Sequence, residues 1–83
     1  MDKYNEALMN CNKSLKMFRK IYGNNDNPNI PILLNNIGEI CLNNFEFVKA
    51  LEYLNKSLEI LKKIYETDDN LIILGVLTNI GNI

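Results

Sequence analysis

Eighty-three residues with 47% hydrophobic content make one small folded unit, which at this size buries about 60% of the surface its unfolded chain exposes. Nine basic and ten acidic residues leave a net charge of -1, so there is no positive field to draw in phosphates or anionic head groups, and nucleic acid and membrane surfaces are set aside as partners. Two cysteines and no histidine allow neither a disulfide framework nor a four-ligand metal site.

The first predicted element is a helix over 4–22. Tyr4, Ala7, Leu8, Cys11, Leu15, Phe18, Ile21 and Tyr22 recur at intervals of three and four, the stripe of an amphipathic helix. Lys13, Lys16, Arg19 and Lys20 fall at helical spacing and read as its solvated face. Gly23 is placed to end the helix in a left-handed conformation, and the polar run through Pro28 favours a loop. Asp26, Asn27 or Asn29 is positioned to cap the next helix, with Pro28 or Pro31 in its first turn.

That second helix, about 30–43, carries Leu33, Leu34, Ile37, Ile40 and Cys41 on its apolar side. Gly38 interrupts it at a cost of about 1 kcal/mol relative to alanine, which points to close approach by a neighbouring helix. Asn43-Asn44 is expected to supply the following turn, since asparagine tolerates the left-handed region. The third helix, about 46–65, turns Phe47, Ala50, Leu51, Leu54, Leu58, Leu61 and Ile64 inward, and Ala50 and Ser57 keep its packing surface narrow. A polar loop over 66–70 follows, with Asp68 or Asp69 as cap, and then an apolar helix from Leu71 towards Ile83.

The chain also repeats itself. Ala7 and Ala50, Ser14 and Ser57, Tyr22 and Tyr65, Asn36 and Asn79, and Gly38 and Gly81 each stand 43 positions apart, as do Leu8 and Leu51 and Leu15 and Leu58. Both Asn-x-Ser triplets, at Asn12 and Asn55, match the glycosylation pattern, but their serines fall on the inward faces and recur because the repeat does.

On these residues the chain resembles the tetratricopeptide repeat family, whose unit is a pair of antiparallel helices. The pattern reads Ile37-Gly38-x-x-Cys41, then Phe47-x-x-Ala50, then Leu54-x-x-Ser57-Leu58, with Ala7, Cys11 and Ser14-Leu15 as the previous copy and Ile80-Gly81 as the next. The spacing exceeds the ordinary unit of about 34 residues. With its Tyr22-Gly23 loop ending in Asn27-Pro28, the chain is similar to the extended repeats of kinesin light chains. Two features depart from the family: Phe45 stands where the turn glycine usually sits, and the second loop lacks both glycine and proline.

The resemblance implies an all-α, antiparallel helix-pair solenoid of about four helices, a right-handed superhelix and a fragment of a longer array. Its parts are the second helix and loop of one repeat (1–28), one complete repeat (29–70) and the first helix of the next (71–83). It implies a protein-interaction scaffold that binds peptide segments in a concave groove lined by the first helices. Asn36 and Asn79 match the asparagine that points into that groove, and Asn35, Glu39 and Asn82 are adjacent candidates. A carboxamide has donors and an acceptor, so it can hold peptide backbone whatever the side chains. Ile32, Asn36, Gly75 and Asn79 occupy the places where a clamp for a chaperone's C-terminal carboxylate carries lysine and arginine, so that partner is not expected. The alternative function is a targeting or regulatory module attached to a catalytic or nucleotide-hydrolysing signalling protein.

No nucleophile is paired with a base and no glycine loop cradles phosphate, so the chain is not read as an enzyme and needs no cofactor. Asn25-Asp26-Asn27 lacks the glycine and terminal glutamate of a calcium loop. Without a leader pattern or a long apolar run, the expected location is cytoplasmic. Uncapped repeat ends are expected to promote self-association.

Overall fold

The computed structural model describes residues 3–23, 27–65 and 70–83. The apolar stripes become α1 (Lys3–Tyr22), α2 (Asn29–Asn43), α3 (Phe47–Ile64) and α4 (Leu71–Gly81), and no strand is present among the described residues. Gly23 ends α1 as its position suggests, with φ 75° and its N–H returned to the Arg19 carbonyl at 2.9 Å. Before α2, the Asn27 side chain accepts from the N–H of Asn29 at 2.9 Å, and Pro31 lies in the first turn. Neither Asn27 nor Asn29 caps α2: Pro28 holds the cap position with no side-chain cap bond, and Asn29 is the first helical residue. Asp26, Asp68 and Asp69, also cap candidates, lie outside the described residues, as do Asn25 and most of the 66–70 loop. The cap of α4 is instead Asn70, whose Oδ1 accepts from the N–H groups of Ile72 and Ile73 at 2.8 and 3.3 Å.

The turn between α2 and α3 departs from expectation. Asn44 keeps a negative φ of -102°, and the residue that turns left-handed is Phe45, at φ 61°. The hydrogen bonds explain why: Glu46 N–H reaches back to the Cys41 carbonyl at 2.9 Å and Phe45 N–H to that of Leu42 at 3.0 Å. This is the paired return that closes a helix around one left-handed residue, a place usually held by glycine. In phenylalanine that conformation costs about 1–2 kcal/mol.

Packing follows the stripes. Leu15, Ile30, Leu34, Ile37, Cys41 and Ala50 form one buried cluster, and Leu54, Leu61, Ile73 and Val76 a second. The small residues bring α2 and α3 together. A β-carbon on Gly38 would lie 2.7 Å from Leu54 Cδ2 and 2.8 Å from its Cγ, so only glycine admits α3 here. Ser57 is fully buried and donates its hydroxyl to the Pro31 carbonyl at 2.7 Å. Gly81, the sequence counterpart of Gly38 on α4, meets nothing within 4 Å. Phe47 and Leu51, expected to face inward, are exposed, and Ala50 between them is the residue of that turn that is buried against α2.

The helices make two layers. Among the described residues α2 touches α4 directly, whereas α1 and α3 pack on α2 but not on each other. Neighbours that meet on one side and part on the other define a curve, so α2 and α4 form its inner side. Tyr4 crosses between layers and donates its hydroxyl to Cys41 Sγ at 3.9 Å; burial, with that bond second, pushes its pKa up to about 12. Cys11 is half-buried, and burial likewise raises its thiol pKa, which disfavours the reactive thiolate. No described helix is long and apolar enough to cross a membrane.

Candidate peptide-binding groove

Four of the five groove residues expected from the sequence come together between α2 and α4. Asn79 on α4 donates from Nδ2 to Asn35 Oδ1 and to Glu39 Oε1 on α2, both at 3.0 Å. An amide nitrogen has two hydrogens, so both donors of Asn79 are committed within the protein and its carbonyl oxygen remains as an acceptor. Asn79 therefore fastens α4 to α2. Asn82 follows α4 directly, and Asn36, the sequence counterpart of Asn79, is exposed and stands apart from this cluster.

Beside the cluster lies an open cavity of about 350 Å³. Glu39, Asn79 and Asn82 line it together with Leu42 and Asn43 at the end of α2. The remaining wall is Phe45 and Phe47, whose rings stand edge to face with centroids 6.3 Å apart and planes at 75°. Phe45 is 79% exposed and Phe47 45%, so this aromatic pair faces solvent. A volume of this order suits a long side chain with a little backbone, at the low end of ligand pockets of roughly 300–1,000 Å³.

The sequence reading missed the two phenylalanines and Asn43. One signal was available for Phe45: a bulky residue standing where a turn wants glycine. Strained backbone tends to collect at functional sites, where some other role maintains it.

A family model described as Tetratricopeptide repeat matches residues 1–63. The chain belongs to the tetratricopeptide repeat family. Its four helices accord with such a helical repeat, and membership makes it a protein–protein interaction module. Comparison with curated proteins and with solved structures gave no match. In a tetratricopeptide repeat the two helices of a unit pack through small residues, the part taken here by Gly38, Ala50 and Ser57, and the layer of α2 and α4 is the side that carries the cavity.

Proposed function

We propose that the inner side of α2 and α4 receives an extended peptide, with Asn35, Glu39, Asn79 and Asn82 meeting it at the cavity and Asn36 further along α2. The observation that carries this reading is the cluster in which Asn79 joins Asn35 and Glu39 beside an open, aromatic-walled cavity. The chain then works as an adaptor of the kinesin-light-chain kind, built on 43-residue repeats: one complete at 29–70, between the second helix of the preceding unit (1–28) and the first of the following one (71–83). A cytoplasmic setting, with both thiols reduced, fits this role.

The test starts from peptides selected out of a random display library on the immobilised 83-residue chain. Asn36→Ala and Asn79→Ala should each weaken a selected peptide by about tenfold, the equivalent of one well-placed hydrogen bond. Circular dichroism checks that each variant keeps its helices. If no peptide is enriched, or if both variants bind as tightly as the parent, the groove reading is wrong. The apolar face formed by Leu71, Leu74 and Leu77 on α4 is exposed, and we assign it to self-association with a second copy of the chain.

A further inference from the structure

The net charge of -1 conceals a sorting of charge between the two layers. All nine basic residues lie on α1 and α3. The inner helices α2 and α4 carry one charged residue between them, Glu39. Helix ends follow the same division: α1 closes on Arg19 and Lys20 and α3 on Lys62 and Lys63, but the last turns of α2 and α4 hold no basic residue. A helix C-terminus carries a partial negative charge of about half an electron, which nearby cations ordinarily offset.

Both ends reach the cavity, α2 through Leu42 and Asn43 and α4 through Asn79 and Asn82, whereas Lys3 of α1 stands on another side of the α2 end, beside Ile40, Asn43 and Asn44, and does not line this space. Glu39 adds a full carboxylate, and no lysine or arginine lines the space. The aromatic wall adds a second, independent attraction for cations through the negative faces of its rings. Phe45 sharpens the point. Glycine would hold the left-handed turn without strain and would expose no ring, so on both counts folding is poorly served by phenylalanine.

We propose that this cavity is the subsite for a lysine or arginine side chain of the bound peptide, with Glu39 meeting the cationic head and Phe45 and Phe47 flanking the stem. The inference rests on the peptide-groove reading and specifies its ligand: a basic segment, not an acidic one. Charge-assisted hydrogen bonds to the carboxylate supply selectivity, and the rings supply contact that a neutral stem of the same length shares in part.

Display-selected peptides are the probes, measured by fluorescence anisotropy near physiological ionic strength. Selected sequences should be enriched in lysine or arginine, and replacing that residue by norleucine should weaken binding about tenfold. Glu39→Gln should weaken the basic peptide similarly and leave the norleucine peptide unchanged. Glu59→Gln, which removes the same charge from an exposed site on α3, should alter neither. Phe45→Gly should raise the melting temperature by roughly 4–16 °C and still weaken the basic peptide. Peptides that bind without any basic preference, equal effects of Glu39→Gln and Glu59→Gln, or a Phe45→Gly variant that keeps full affinity would each overturn the proposal while leaving the groove in place. Failure to select any peptide removes the groove reading, and this proposal with it.

Discussion

Gly38→Ala sets helix propensity against packing, and the distances decide which wins. Alanine in a helix interior gains about 1 kcal/mol over glycine. The new methyl, however, would stand 2.7 and 2.8 Å from Leu54 Cδ2 and Cγ, about 1 Å inside the ordinary carbon–carbon separation of roughly 3.5–4.0 Å. Leu54 has nowhere to go: it is fully buried in the cluster with Leu61, Ile73 and Val76, and the contact includes its branch carbon, not only a free methyl. Overpacking costs about 1–3 kcal/mol, and a contact that includes the branch carbon of a buried leucine falls at about 2–3, so the clash wins and the net loss is about 1–2 kcal/mol. For a chain of this size that lowers the melting temperature by roughly 4–16 °C. Thermal melts followed by circular dichroism measure it directly. Gly75→Ala is the matched control, since nothing lies within 4 Å of its added β-carbon; it should raise the melting temperature. In a Leu54→Ala background the clash is gone, and Gly38→Ala should become neutral or stabilising. A Gly38→Ala variant at least as stable as the parent would refute the close-approach argument.

Asn70→Ala removes the side-chain cap of α4 and should cost about 1 kcal/mol. Hydrogen exchange would show faster exchange along α4 with α2 little changed, whereas Asn70→Asp should retain protection; uniform loss across all helices would contradict a local cap. On the exposed face of α4, Leu74→Lys with Leu77→Lys should abolish concentration-dependent association in sedimentation velocity. A parent chain that stays monomeric at high concentration would remove that assignment instead.

The four helices were legible because their burial is written at intervals of three and four residues, and Gly38 because an interior glycine has an energetic cost that packing must repay. Asn35, Glu39, Asn79 and Asn82 could be placed near one another through the resemblance to a known repeat. Phe45 escaped for a physical reason. Local preference assigns a left-handed residue to asparagine or glycine, and here Asn43 and Asn44 precede the residue that the returning N–H groups actually force into that region. Phe47 belongs to the apolar stripe of α3 by spacing, but it is the helix's first residue and lines the open cavity beside Leu42 and Asn43 of α2 instead of the core. Asn36 matches Asn79 in sequence, yet among the described residues Asn79 faces α2 across the inner layer and Asn36 faces solvent.

The direction of hydrogen bonding in the groove ties these observations together. A free carboxamide serves peptide donors and acceptors alike, but the bonds of Asn79 to Asn35 and Glu39 use both of its amide hydrogens. What it presents outward is a carbonyl oxygen. Glu39 is acceptor-only when ionised. The two residues at the centre of the cluster therefore turn acceptors outward, through the pairing across α2 and α4, while Asn35, Asn43 and Asn82 keep amide donors around them. A ligand satisfies Glu39 and Asn79 best by bringing donors: backbone N–H groups of an extended strand and the N–H groups of a basic side chain. An acidic segment would set its own acceptors against these and leave both sides desolvated without partners, a penalty of about 1–3 kcal/mol for each buried group.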